Sequence, residues 1–339
     1  MMRLPAFTLK TPRTIAEAAQ WLADAPAETM LLAGGTDLVP NMKRKQQTPT
    51  TVVALRSLTA LREIRNGAGL TIGAGATLTQ IVNDARIRAG APGLWQAAAQ
   101  IATPHLRNMG TIGGNLCLDT RCTYYDQNFE WRQAIDFCMK KDGKTCWVAT
   151  SSPRCLAVSS TDTAPMLQAL GARVHLVSAG GERDVDVADL YANDGMHYLT
   201  RRPDEILTSV AIPALDGWRS TYWKLRRRGS FDFPVAAAAV AARLDGDAVV
   251  EARIVLGAVA SRPMASPKAA ALLAGQRLTD EAIAAAADAA YDVAKPMDNT
   301  DYELVWRKKM IRALVTYALK EVRGDDMREQ RGKIARQLL

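Results

Sequence analysis

At 339 residues, 48% hydrophobic and 23% charged, the chain has the composition of a soluble globular protein, and its length calls for two or three domains. No run approaches the roughly 20 apolar residues of a membrane span. Met1-Met2-Arg3-Leu4-Pro5 lacks the apolar core of an export signal, so the cytoplasm is the expected compartment and structural disulfides are not expected. The net charge of +8 is spread over Lys43-Arg44-Lys45, Arg226-Arg227-Arg228 and Arg307-Lys308-Lys309 without a nucleic-acid motif. With only 6% aromatic residues, it points to acidic protein partners rather than to nucleic acid.

Thr14-Ile15-Ala16-Glu17 has capping-box spacing and predicts a helix running towards Pro26. Thr29 to Ala33 reads as a short buried strand that runs straight into Gly34-Gly35-Thr36-Asp37-Leu38. Glycines there let a ligand approach the backbone, and the N–H groups of such a turn suit anionic oxygens; a plain strand-to-helix turn would use the same residues. GxGxxG is absent and no βαβ unit is expected to follow, so this is not a Rossmann fingerprint. Thr51 to Leu55 is a second strand, which closes a first α/β unit near residue 56. Gly69 to Ala76 alternates as a strand, Leu78 to Ile87 has helical spacing, and Leu94 to Ile101 is an alanine-rich helix ended by Pro104. A second glycine turn follows at Thr111-Ile112-Gly113-Gly114-Asn115-Leu116. Two such turns in one α/β region suggest a site for an extended, phosphate-bearing ligand.

Asp162 to Leu170 is expected to be a short helix, Arg173–Ser178 and Arg183–Val187 a hairpin, and Ile206–Ile212 a strand stopped by Pro213. Composition shifts after Asp216-Gly217, which sets a boundary between domains at 1–215 and 216–325. The second domain reads as a strand over Thr221–Arg227, a hairpin from Phe233–Leu244 and Ala248–Ala258, and helices over Lys268–Leu273, Asp280–Val293 and Tyr302–Val322. Residues 326–339 form a charged tail, either contacting a subunit or frayed.

All five cysteines, Cys117, Cys122, Cys138, Cys146 and Cys155, fall within 39 residues, and the rest of the chain has none. The plain reading is a metal-binding loop. No pair is CxxC, so zinc-ribbon, zinc-finger and common ferredoxin spacings fail. Four thiolates hold either a tetrahedral zinc or a cubane iron–sulfur cluster. Arg121, Arg132, Lys140, Lys141, Lys144 and Arg154 would offset the negative charge of a cubane, and Tyr124, Tyr125, Phe129, Trp131, Phe137 and Trp147 would limit solvent access. Cys117 continues the Asn115-Leu116 element and reads as a small buried hydrophobe. Gly143-Lys144-Thr145 is a turn, since Cys138 stands where a P-loop has its first glycine. His105, His175 and His197 are scattered and read as structural, with His105 alone near the expected ligand. Without GxSxG, HExxH or CxxCH, the chain reads as an electron carrier more easily than as a complete catalyst.

Leu31-Leu32-Ala33-Gly34-Gly35-Thr36-Asp37-Leu38 and Thr111-Ile112-Gly113-Gly114-Asn115-Leu116 resemble the two FAD-binding signatures of the flavoprotein subunits of molybdenum hydroxylases, the xanthine dehydrogenase and carbon monoxide dehydrogenase group. The likeness continues through Thr161-Asp162-Thr163-Ala164-Pro165, Asp204-Glu205-Ile206-Leu207 and Tyr222-Trp223-Lys224-Leu225. It implies an α+β fold, in which a two-subdomain α/β FAD-binding domain (about 1–56 and 57–215) is followed by an antiparallel sheet with helices. The FAD pyrophosphate would rest on the two glycine turns, and Ile101, Asp162, Leu207 and Lys224 would match positions close to the cofactor.

Most members run almost directly from the second turn to the Asp162 equivalent, whereas this chain inserts residues 117–158. Arg121-Cys122-Thr123-Tyr124-Tyr125 with Cys138, Cys146 and Cys155 resembles the insert of the beta subunits of 4-hydroxybenzoyl-CoA reductases. That likeness implies a 4Fe-4S cluster on Cys122, Cys138, Cys146 and Cys155 and leaves Cys117 aside. It further implies a ferredoxin donor steered by the basic surface, a molybdopterin-binding large subunit, a 2Fe-2S small subunit, and assembly as a hetero-oligomer, such as a dimer of heterotrimers. The alternative keeps both cofactors but runs the chemistry oxidatively, on an aldehyde or an N-heterocycle.

Overall fold

The computed structural model describes residues 3–336. The first two residues of the N-terminal sequence and the last three of the expected tail lie outside the described residues. Three sheets carry the chain, each from a different stretch of sequence.

The first unit holds β1 (Thr8–Lys10), α1 (Ile15–Asp24), β2 (Thr29–Leu32), α2 (Leu38–Lys43) and β3 (Thr51–Ala54). Thr14 caps α1 by accepting from the Glu17 N–H at 3.1 Å, but the Glu17 carboxylate turns to the Arg13 N–H at 2.6 Å, so only half of the expected capping box forms. β2 and β3 are parallel, in register Thr29↔Thr51, with α2 between them. This is the βαβ unit that the sequence reading ruled out. Its crossover helix is six residues long and contains Pro40, too short to show a helical period.

The second unit opens with β4 (Ile64–Asn66) and β5 (Gly69–Gly73) and then runs through seven short helices. These are α3 (Leu78–Asn83), α4 (Ala85–Gly90), α5 (Pro92–Ala99), α6 (Pro104–Arg107), α7 (Ile112–Leu116), α8 (Phe129–Ala134) and α9 (Thr163–Ala169). It closes with β6 (Arg173–Ser178), β7 (Gly181–Asp186) and β8 (Ile206–Pro213), in an antiparallel sheet of order β4-β5-β8-β6-β7. The helix expected over Leu78–Ile87 breaks at Asp84, whose carboxylate accepts from the Arg86 and Ile87 N–H groups and starts a new helix. Pro104 likewise opens α6 at its first turn. The second glycine turn is itself the helix α7, capped by the Thr111 hydroxyl on the Gly114 N–H at 3.0 Å.

The third unit holds β9 (Trp218–Leu225), β10 (Ala236–Asp245), β11 (Ala248–Gly257) and β12 (Met264–Ala265), followed by α10 (Pro267–Ala271), α11 (Asp280–Val293), α12 (Leu304–Arg323) and α13 (Arg328–Arg336). Its sheet is antiparallel, in order β12-β11-β10-β9. β10 is buried on both faces. Ala237, Ala239 and Ala241 join the core of the second unit, and Ala236, Ala238, Val240 and Ala242 join the core under α11 and α12. Alanine is a poor strand former, but its small side chain lets layers on both sides close upon the sheet. The charged tail is neither free nor frayed over its described part: α13 buries Ile334, and Arg331 pairs with Glu321 of α12.

Arg307 of α12 is fully buried and donates to three carbonyl oxygens, Val235 at 2.9 Å, Met297 at 2.7 Å and Ala258 at 2.8 Å. Burial lowers its pKa to about 10, against the pull of Asp298 and Asp301. Arg307→Met leaves those carbonyls unpaired and should cost about 3 kcal/mol, read as a lower urea midpoint. Arg307→Lys, with three donors at a point rather than a planar fork, should recover only part of the loss.

Candidate functional site

Glycine packing builds the site. A Cβ on Gly34 would lie 2.6 Å from the Met109 carbonyl carbon and 2.9 Å from Gly110 Cα, so the first turn rests directly on the segment leading to the second. A Cβ on Gly113 would meet Ala74 Cβ at 2.8 Å and its carbonyl oxygen at 2.9 Å. Gly35 has φ +73°, a left-handed conformation that favours glycine. The Asn115 side-chain oxygen accepts from Thr161 Oγ1 at 2.8 Å, Thr163 N at 3.1 Å and Thr163 Oγ1 at 2.6 Å, and so ties α7 to the start of α9.

These turns wall a cavity of 1210 Å³. Leu31, Leu32, Ala33, Gly34, Gly35, Thr36, Asp37 and Leu38 line it, as do Ile101, Thr111, Gly113, Gly114, Asn115, Asp162 and Leu207. Two of the expected residues do not. Ile112 is buried in the core of the second unit. Lys224 lies behind Asp162, with its ammonium 3.0 Å from that carboxylate and 3.2 Å from the Gln100 carbonyl. Burial pushes the Asp162 carboxyl up and the Lys224 ammonium down, and their ion pair, with the Tyr222 hydroxyl 2.8 Å from Asp162, opposes both shifts. Met109, Met196, Arg201 and the exposed Phe231 and Phe233 also line the cavity and carried no sequence signal, and Arg121, expected beside the cysteines, lines it as well. His197 lines it too, whereas His105, the histidine expected there, does not. The Nε atoms of Arg121 and Arg201 are buried without a hydrogen-bond partner in the chain, while the rest of each guanidinium is held by the chain: Arg121 by Asp37 and Asp126, Arg201 by the Arg202 and Glu205 carbonyls.

The insert is pinched off by one antiparallel bridge, in which Arg121 N donates to Val158 O at 2.8 Å and Val158 N to Arg121 O at 2.7 Å. Beyond that neck, Cys122, Cys138, Cys146 and Cys155 all line one small buried cavity with Tyr124, Tyr125, Met139, Lys140, Trp147, Val148 and Ala157. Its free space is about 10 Å³, so a group larger than one ion would have to spread these loops. Among the described residues, no group of three or more His, Cys, Asp or Glu side chains is placed to hold a metal ion. The donor set is nonetheless one of four buried thiols. Burial pushes Cys122 up to about 12 and Cys155 up to about 11, so the free chain carries them protonated, and a bound metal would displace those protons. Asp136, Phe137 and Asp142, at φ +60°, +56° and +69°, put left-handed backbone around Cys138.

Cys117 stands apart from this cavity. It is half-buried, packs against the core of the second unit and lines the large cavity. Of the expected cations only Lys140 lines the thiol cavity; Arg132 lies beside the contacting rings of Phe129 and Phe137 instead, 5.9 and 5.8 Å from their centroids, and Trp131 is exposed.

Residues 5–215 match the model of the FAD binding domain in molybdopterin dehydrogenase, and residues 220–322 match the CO dehydrogenase flavoprotein C-terminal domain. The chain belongs to the FAD-binding medium subunits of the molybdenum hydroxylases. It is 29% identical to the aldehyde oxidoreductase FAD-binding subunit of Escherichia coli, over 93% of this chain and 99% of that one. It is 28% identical to the carbon monoxide dehydrogenase medium chain of Afipia carboxidovorans, over 94% and 97%. The crystal structure of a Cu,Mo-CO dehydrogenase superposes with a TM-score of 0.79 at 28% identity, over 95% of this chain and 99% of that one. The chain is thus an oxidoreductase subunit with the expected α+β fold, and FAD fits the large cavity, whose volume and closely packed glycine walls suit a dinucleotide. None of these relatives carries the 4-hydroxybenzoyl-CoA reductase specificity expected from the insert. No helix among the described residues is long and apolar enough to cross a membrane.

Gly34→Ala should drive the two turns apart and cut flavin content of the purified chain by at least about tenfold in affinity, whereas Gly67→Ala, with nothing within 4 Å of its Cβ position, should bind flavin normally. Glu205, just before β8 and the cavity residue Leu207, accepts from Arg183 Nε at 2.6 Å and Nη2 at 2.9 Å and from Arg202 N at 2.6 Å. Burial raises its pKa, but these bonds outweigh burial and hold it below the ordinary carboxylate value. Its contribution is therefore present at neutral pH and lost as pH falls through the depressed folded value. Glu205→Gln should cost about 1–2 kcal/mol near neutrality, with half-exposed Arg183 limiting the effect, and thermal melts should show the gap to the native chain closing below about pH 4.

Proposed function

We propose that this chain is the FAD and iron–sulfur electron-transfer subunit of an oxidative molybdenum hydroxylase, acting on an aldehyde or an N-heterocycle bound to another subunit. The observation that carries the reading is full-length similarity to subunits named for aldehyde, carbon monoxide, glyceraldehyde and nicotinate oxidation. The reductive reading, with its ferredoxin donor and 4-hydroxybenzoyl-CoA substrate, rests on the insert alone and gives way to it.

By this reading the partners are a molybdopterin-binding large subunit and a 2Fe-2S small subunit. FAD exchanges one or two electrons, and so mediates between single-electron clusters and a two-electron metal centre. The chain's own residues bind and orient it: the two glycine turns receive the pyrophosphate, and the Asp162–Lys224 pair holds the wall between α9 and β9. Cys122, Cys138, Cys146 and Cys155 would hold a 4Fe-4S cluster. Their convergence on one buried cavity, with Cys117 outside it, supports that ligand set over any set including Cys117.

Two measurements test the reading. The assembled complex should oxidise an aldehyde or an N-heterocycle with an artificial acceptor; turnover only with 4-hydroxybenzoyl-CoA and a strong reductant would restore the reductive reading. Anaerobically purified chain should contain about four irons and one FAD. Cys138→Ser should lose the iron and keep the flavin, whereas Cys117→Ser should keep both; zinc in place of iron would refute the cluster.

A further inference from the structure

One side chain meets every part of the wall beside the first glycine turn. Arg121 stands at the neck of the insert, where its backbone pairs with Val158. Its guanidinium forms an ion pair with Asp37, the residue just before α2. Nη1 also donates to Asn41 Oδ1 of α2 at 3.1 Å and to Asp126 Oδ1 of the insert at 3.4 Å. The ring of Phe233, from the loop between β9 and β10, lies 4.8 Å from the same group. The Arg121 side chain is only 9% exposed, so little water screens it from these partners.

Asp37 is the informative partner. An aspartate just before a helix ordinarily accepts from N–H groups of the first turn, yet the Asp37 side chain makes no such bond. One of its oxygens goes to Arg121, and the other accepts from Asp119 N at 3.3 Å. Asp37 lines the large cavity with Gly34, Gly35, Gly113 and Gly114, and the carboxylates of Asp119 and Asp126 stand in the same lining. Lys140 answers Asp119 at 2.8 Å, and Arg121 answers the other two. A carboxylate left there without its cation would repel an anionic ligand from the turn. We propose that Arg121 is a positioning residue for FAD that acts through Asp37: it cancels the carboxylate charge at the first glycine turn, so that the turn can take an anion. Asp37 in return fixes where the planar guanidinium lies. The proposal rests on FAD as the occupant of the large cavity and asks nothing of the four buried thiols.

Charge cancellation and simple bracing predict different results. In a fluorescence-quenching titration of FAD with the flavin-free full chain, Arg121→Gln should weaken binding by at least about tenfold. Arg121→Lys keeps the charge without the planar fork and should recover part of that loss. Asp37→Asn placed in the Arg121→Gln chain should bring binding back to within about threefold of native, because the stranded carboxylate is gone. A brace would show the reverse, since a second broken contact does not mend the first. If the Arg121→Gln chain gives no cooperative thermal melt, Asp37→Asn alone decides: it should bind FAD at least as tightly as the native chain, and weaker binding would overturn the proposal. Equal binding by the native and Arg121→Gln chains, or a double variant as weak as Arg121→Gln, would overturn it too. A native chain that binds no FAD would instead overturn the FAD reading on which the proposal rests.

Discussion

Backbone rests on backbone where the two glycine turns meet, and the FAD cavity depends on that contact. The first turn belongs to a small parallel unit and the second to a larger antiparallel one, so the joint between them is also the joint between subdomains. A side chain at Gly34 would hold the units apart by the width of a methyl group, and one at Gly113 would push the second turn off Ala74 within its own unit. Only Gly35 needs its glycine for backbone conformation; the other two are demanded by proximity.

The framework was legible in the sequence wherever a period was long enough to register. α11 and α12, the β10–β11 hairpin and the strand before the first glycine turn all appear close to their expected places. Short helices were not legible, because a six-residue crossover helix with a proline, or a helix of four or five residues, shows too little apolar spacing to register. The family and its flavin were readable from two short motifs because close approach leaves so little choice of residue. Phe231, Phe233, Arg201 and His197 were unreadable, since they reach the cavity from distant loops and only the fold assembles them.

The cysteines posed a different problem. Their spacing matched no template, and clustering alone marked them. Folding separates them into four around one cavity and one beside the flavin, because Cys117 lies before the neck of the insert and the other four lie beyond it. Most of the surrounding basic residues are spent on the scaffold, as with Arg132 against the paired rings of Phe129 and Phe137. Charge count in the sequence therefore overstates how many cations reach the thiols.

The neck itself has an architectural consequence. Residues 121 and 158 are bridge partners, so the loop leaves and rejoins the body at neighbouring points, about 5 Å apart. A chain that went straight from one side of the bridge to the other would keep α7, α9 and the Asn115 bonds that join them. Lengthening a closed excursion adds entropy cost only logarithmically. The host fold can thus gain or shed the whole cysteine-bearing loop at one seam while the frame around the large cavity stays as it is.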